Sequence, residues 1–199
     1  LQSEGEKMSK SLGNFYTVNE LLAEFPGEAL RLTLLQTHYR APLDFTKDGV
    51  RQAKATLDRM YAALRGTPAA ADGDDVPSRV QEALEDELNT PLALAGLHEA
   101  ITALNAASGD EAKAQAKRDV LAAGSLLGLL QQDPEDWFRW QPAGGEDGLD
   151  DAAIDALVAQ RTEARKVRDF AESDRIRDEL AAAGIVVEDK PEGTIWRRG

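Results

Sequence analysis

Asp48-Gly-Val-Arg-Gln-Ala-Lys-Ala-Thr-Leu-Asp-Arg-Met-Tyr-Ala-Ala-Leu64 places Val50, Ala53, Leu57, Met60, Tyr61 and Leu64 at steps of three and four. That spacing returns to one side of an α-helix on every turn, so it predicts a helix from about Asp48 to Leu64 with those six side chains buried. Gly66 stops it. A helix with one apolar face needs partners, and the flanking sequence supplies them. Upstream, Thr17-Val-Asn-Glu20 has the form of a capping box and opens a short helix with Leu21, Leu22 and Phe25 as its apolar residues. Pro26-Gly27 breaks it. A second helix is expected from about Glu28 to Tyr39, ending before Pro42, with Leu30, Leu34 and Leu35 as its buried stripe. Downstream, residues 67–77 are rich in Ala, Asp, Gly and Pro and read as a surface connection. A helix follows from about Ser78 to Leu88. Asn89-Thr90-Pro91 then reads as a fresh start, with Thr90 as cap and Pro91 in the first turn. Leu94, Leu97, Ile101 and Leu104 line one face of that helix. A last one spans about Glu111 to Leu130, with Val120, Leu127 and Leu130 inward. Together these make a helical bundle, and Trp137, Phe138 and Trp140 read as packing at its end.

Residues 142–150 mark a linker. Beyond it, helices are expected from about Asp151 to Val167 and from about Glu172 to Ala183, the second ended by Gly184. Ile185–Asp189 and Thr194–Arg198 read as two strands. Between them, Lys190–Gly193 is a turn containing Pro and Gly, which makes a β-hairpin. A lone hairpin is marginal, so it must pack on the two helices before it. The fold expected is mainly α: a bundle after an N-terminal loop, then a small α+β domain.

Composition narrows the chemistry. The chain has 199 residues, with no Cys and only two His. Disulfides and cysteine-ligated zinc are therefore excluded within these residues, and no metal ligands are assigned. No apolar run reaches the length of a membrane span. A cytoplasmic, monomeric protein is expected. The net charge of −13 looks wrong for a nucleic-acid binder. The acidity is concentrated in residues 67–149, however, which leaves both ends free to present basic faces to phosphate. Binding of that kind depends on salt, because phosphate contacts release counterions.

The N-terminal loop contains Lys7-Met8-Ser9-Lys10-Ser11-Leu12-Gly13-Asn14. Two lysines three apart, with hydroxyls between and after them and a glycine that allows close backbone approach, suit a triphosphate and its leaving pyrophosphate. Lys10 is the main candidate for the phosphate contact, with Lys7 in support; the plain alternative is an exposed basic turn. Farther along, Arg161, Arg165 and Arg168 share a helix face with Lys166 beside it, a stripe that is usually only solvated. Asp174 and Arg177 pair on the next helix. Asp and Arg can read unpaired bases while an aromatic ring stacks on them, and Phe170 and Trp196 are the rings at hand. For Trp196 the plain reading, closure of a small core, is strong. Asp189 either accepts from a base or closes the hairpin. His38 is read as packed. Asp44 and Asp48 have no partner suggesting acid–base work, and no nucleophile arrangement is found.

Glu6–Asn14 resembles the ATP loop of class I aminoacyl-tRNA synthetases. His38-Tyr39-Arg40, Leu57 to Gly66, Asn89-Thr90-Pro91, Ala171–Leu180, Gly184-Ile185 and Thr194–Arg198 narrow the resemblance to the C-terminal part of bacterial cysteinyl-tRNA synthetase, over essentially the whole chain. That family joins cysteine to its tRNA through cysteinyl-adenylate, using ATP. The resemblance implies that Lys10, with Lys7, contacts ATP. It makes Arg165, Phe170, Asp174, Arg177 and Asp189 the candidates for anticodon recognition; some members carry Trp where Phe170 stands. It divides the chain into a loop with stem-contact helices (1–45), an anticodon-type bundle (46–141), a linker (142–150) and a small recognition domain (151–199). The family's first ATP signature and the ligands of its cysteine-selecting zinc are missing. The chain is therefore expected to be the back part of a larger enzyme and inactive alone. The alternatives are another class I synthetase, such as the methionine or arginine enzyme, a related cysteine:amino-sugar ligase, and a free-standing helical module that binds proteins.

Overall fold

The computed structural model describes the chain except residues 4, 72, 74, 144–148, 191, 192 and 199; at Lys10 it describes the backbone alone. The chain forms two compact units, Leu1–Pro134 and Glu135–Gly199.

The first unit opens with a small antiparallel ribbon, β1 (Gln2–Ser3) and β2 (Glu6–Lys7), in the register Gln2↔Lys7 and Ser3↔Glu6. The ribbon is laced to the chain that leads into the bundle. The Gln2 N–H donates to the Leu43 carbonyl and the Phe45 N–H donates to the Gln2 carbonyl, each at 2.8 Å. A 3-10 turn (Lys10–Leu12) follows, then α1 (Val18–Glu24). The capping box forms as read: Thr17 Oγ1 accepts from the Glu20 N–H at 3.2 Å and Glu20 Oε2 accepts from the Thr17 N–H at 2.8 Å. Leu21 and Phe25 are buried, whereas Leu22 is exposed.

Helix α2 (Gly27–Leu35) is shorter than expected and turned differently. Its buried residues are Glu28, Ala29, Leu30, Leu32 and Thr33, while Leu34 is exposed. The cause is Glu28. Its carboxylate accepts from the Tyr61 hydroxyl at 2.9 and 3.0 Å, from the Leu130 N–H at 2.9 Å and from the Gln131 N–H at 3.0 Å. A buried carboxylate needs such donors, and reaching them fixes the rotation of α2 about its axis. Arg31, one turn later, donates to the Leu127 carbonyl at 2.6 Å.

Helix α3 (Lys47–Leu64) buries the six residues of the opening stretch, and Thr46 caps it. Helix α4 (Ser78–Glu85) stops early because Glu87 and Leu88 turn into left-handed backbone, with φ of 57° and 50°. Asn89, not Thr90, caps α5 (Thr90–Ala106): its side chain accepts from the Leu92 N–H at 3.2 Å. At Gly96 an added Cβ would lie 2.8 Å from Val80 Cγ2, so glycine sets the close approach of α4 to α5. Helix α6 (Asp110–Leu127) ends in left-handed Gly128. Leu130, read as its last inward residue, is buried but lies beyond the helix. Packing runs α2 on α3, α3 on α5, α4 on α5 and α5 on α6.

Helix α7 (Pro134–Arg139) lies at the division, and its buried Trp137 and Phe138, read as the end of the bundle, fall in the second unit. There α8 (Asp151–Lys166) and α9 (Phe170–Ala182) pack together, and β3 (Ile185–Lys190) pairs with β4 (Gly193–Arg198) from Ile185↔Arg198 to Lys190↔Gly193. Ile154, Val158, Ile176, Leu180, Ile185 and Trp196 form the core. Most of the expected linker and the tip of the hairpin turn lie outside the described residues.

Candidate nucleotide loop and nucleic-acid interface

The loop is held from both sides. Its incoming limb is β2, paired to Gln2. The Gly5 N–H, in a left-handed turn, donates to the Asp44 carboxylate at 3.1 and 3.2 Å. Ser9 Oγ accepts from the Leu12 N–H at 3.3 Å, capping the 3-10 turn, and lies 3.2 Å from the Ser11 hydroxyl. Gly13 reverses the chain with φ 67°. Asn14 then reaches back, its Oδ1 accepting from the Ser9 N–H at 2.9 Å and its Nδ2 donating to the Lys7 carbonyl at 3.3 Å. Lys7 is exposed at the end of β2. The Lys10 side chain lies outside the described atoms.

In the second unit the other candidates fall on α8, α9 and β3. Arg161 shares the stripe of α8 with Ile154 and Val158, so its side chain turns inward, only 9% exposed. Its fork grips Asp189, with Nη1 donating to Oδ1 at 2.8 Å and Nη2 to Oδ2 at 2.9 Å. Arg165, one turn on, donates to the same carboxylate, and Thr194 Oγ1 adds a bond at 2.9 Å. The Arg161 guanidinium in the first place, then the Thr194 hydroxyl and Arg165, holds the Asp189 carboxyl well below the usual carboxylate range against the opposing effect of burial. Asp189 thus closes the hairpin onto α8, and Arg165 is the more exposed cation on it.

The turn between α8 and α9 follows from local hydrogen bonding. The Arg168 N–H donates to the Arg165 carbonyl at 3.1 Å and the Asp169 N–H to the Ala164 carbonyl at 2.8 Å. This paired pattern ends helices on a left-handed residue, usually glycine. Here that residue is Arg168, with φ 63°. It has left the helix, so the three arginines read as one face are divided among a buried clamp, an exposed partner of Asp189 and a turn residue. Asp169 caps α9, accepting from the Glu172 N–H at 3.1 Å. Val167 and Phe170 stand 67% and 63% exposed on either side of the turn. Asp174 and Arg177 form an exposed ion pair of 3.2 Å. Trp196 is buried and donates from Nε1 to Asp155 at 2.7 Å. It closes the core, so that of the two candidate rings Phe170 is the exposed one.

The structure therefore brings Arg165 together with Asp189, and Asp174 together with Arg177, and it keeps Lys7 in a separate unit. Arg161 was readable as part of a basic stripe, but not as the clamp. The signal was its place three residues after Val158, on the apolar face of α8. Among the described residues no group of three or more His, Cys, Asp or Glu could hold a metal ion, and no helix is long and apolar enough to cross a membrane.

Three family profiles match in succession. The class I (C) tRNA synthetase catalytic domain matches residues 1–55, the DALR domain residues 79–131 and the cysteinyl-tRNA ligase anticodon binding domain residues 147–197. The cysteine–tRNA ligase of Paramagnetospirillum magneticum is 57% identical over 203 residues, covering 100% of this chain and 44% of that protein. The ligase of Rhodospirillum rubrum is 54% identical over 199 residues, 100% of this chain and 43% of that one. That of Rhodospirillum centenum is 58% identical over 194 residues, 98% of this chain and 42% of its own. The chain thus spans less than half the length of these curated relatives.

Proposed function

This chain belongs to the cysteine–tRNA ligase family, and we propose that it is the portion of such an enzyme that carries the second ATP loop and reads the anticodon of cysteine tRNA. The enzyme as a whole activates cysteine with ATP and transfers it to that tRNA. The observation that carries the reading is the similarity along the full chain to ligases of this one specificity, with the anticodon-binding profile lying on α8, α9 and the hairpin.

Within that reading Lys10 contacts the ATP phosphates and Lys7 supports it. Residues 1–45 supply the loop and the stem-contact helices, and residues 46–141 the bundle. Residues 142–150 link these to the recognition domain, residues 151–199. There Phe170 stacks on an unpaired base, while Arg165, Asp174 and Arg177 supply donors and acceptors to base edges. Asp189, its oxygens taken by Arg161, Arg165 and Thr194, serves the tRNA site by holding Arg165 in place. Support for the stacking role comes from the exposure of Phe170, and for the polar roles from two charge pairs that keep exposed groups on α8, α9 and β3 in fixed positions. The zinc that the family uses to select cysteine finds no ligand cluster among the described residues, so no step is assigned to it here. The enzyme works as a cytoplasmic monomer.

The deciding experiment is binding of this chain to a cysteine-tRNA transcript and to one with a changed anticodon, each at two salt concentrations. Tighter binding to the first, by about tenfold or more at both salts, is the expected result. Equal binding to both, vanishing with salt, overturns anticodon reading and leaves only phosphate attraction.

A further inference from the structure

We infer that Asn14 is a positioning residue for ATP: its side-chain amide closes the Lys7–Leu12 loop on itself and so fixes where the loop's lysines meet the triphosphate. The inference rests on the proposed role of the loop and adds to it a residue that makes no phosphate contact of its own. The Asn14 amide bonds the incoming limb twice, through the Ser9 N–H at 2.9 Å and the Lys7 carbonyl at 3.3 Å. Those two backbone groups flank Met8, so the first lysine and the serine before the second lysine are tied to one side chain. The left-handed turn at Gly13 brings that side chain back across the loop.

The rest of the scaffold makes these bonds consequential. Lys7 pairs with Gln2, and Gln2 bonds Leu43 and Phe45 just before α3. Hydrogen bonds therefore run from the bundle to Lys7 and, through Asn14, to Ser9. Without the amide, the described contacts of the segment from Met8 to Gly13 are the 3-10 turn itself, the short-range Ser9 contacts with Ser11 and Leu12 and the Met8 N–H bond to the Leu1 carbonyl at 3.3 Å. An exposed loop loses little folding stability by this, since water replaces both partners. It loses placement, and a phosphate clamp displaced by about 1 Å holds the triphosphate less tightly.

Two measurements test the inference. In this chain, the Ser9 amide should exchange slowly with solvent deuterium; Asn14→Ala should abolish that protection, while Asn14→Asp, which keeps an acceptor, should retain it. Protection unchanged in Asn14→Ala overturns the clasp. In the full-length enzyme that carries this sequence, Asn14→Ala should raise the KM for ATP in cysteine-dependent pyrophosphate exchange by roughly tenfold and leave the KM for cysteine unchanged. An unchanged ATP KM, or equal changes for both substrates, overturns the positioning role even where the clasp exists. A folded, unsubstituted enzyme that supports no exchange overturns instead the reading that this loop serves ATP, and this inference with it.

Discussion

Arg161 occupies a position that the spacing of α8 reserves for an apolar side chain, and the fold accepts it there because Asp189 meets it from β3. Removing one partner of such a pair leaves a buried charge uncompensated. Asp189→Asn is therefore expected to destabilise the C-terminal unit by about 2 kcal/mol in urea unfolding, less than for a fully buried pair because the Asp189 side chain is 41% exposed. The native carboxyl titrates below its unfolded counterpart, so its contribution is complete above the unfolded value of about 3.9 and is lost as pH falls below it. The gap between wild type and Asp189→Asn should be full at neutral pH and should narrow below about pH 4. Arg168 gives the opposite case, a residue held in backbone that favours glycine. Arg168→Gly should stabilise the unit by roughly 0.5 kcal/mol, the relief of strain exceeding the added freedom of the unfolded chain. No gain in urea unfolding would mean that the left-handed backbone at Arg168 carries no strain for glycine to relieve. At this scale the sequence displayed the arginines but not their division into clamp, partner and turn, because a three–four spacing names a face without saying which end of it is buried.

The helices whose apolar residues repeat without interruption, α3 and α5, were legible almost to the residue. Helix α2 was not, since a buried carboxylate set its rotation and a count of leucines points to the wrong side. Glu28 is stabilised there by Tyr61, whose phenol burial pushes well above its usual range, and by backbone N–H groups one hundred residues away in sequence. No local pattern announces so distant a partner. The start of α5 was legible in kind but displaced by one residue. Thr90 and Asn89 are both good capping types; the choice falls to Asn89 because Glu87 and Leu88 turn left-handed and Asn89 is left with non-helical backbone, its side chain reaching Leu92. Asn89→Ala should therefore cost about 1 kcal/mol, as loss of a cap does, and Thr90→Ala only a few tenths, measured by thermal unfolding followed by circular dichroism. Equal losses would mean that Thr90 shares the cap.

The chain carries three tyrosines, Tyr16, Tyr39 and Tyr61, and three tryptophans, Trp137, Trp140 and Trp196. All the tyrosines lie in the first unit and all the tryptophans in the second. Tryptophan fluorescence therefore reports on the second unit, while helical circular dichroism, dominated by α3, α5 and α6, reports mainly on the first. The change from bundle to small α+β domain was legible in the sequence, because the Gly-rich stretch at 142–150 is followed by only two helices before the pattern turns to that of a hairpin. The grouping of Trp137 and Phe138 with the later unit was not, because aromatic side chains at a boundary suit either core. Each unit has a core of its own, and the second is about a third of the chain; a domain that small buries a lower fraction of its surface and is the less stable of two. The fluorescence transition should thus come at lower urea than the circular dichroism transition. Asp189→Asn should shift the fluorescence curve alone, and Asn89→Ala the circular dichroism curve alone. If the two curves coincide and each substitution moves both, the units unfold as one, and any loss of tRNA binding in Asp189→Asn would have to be read as a loss of the whole chain's stability and not as damage to the recognition domain.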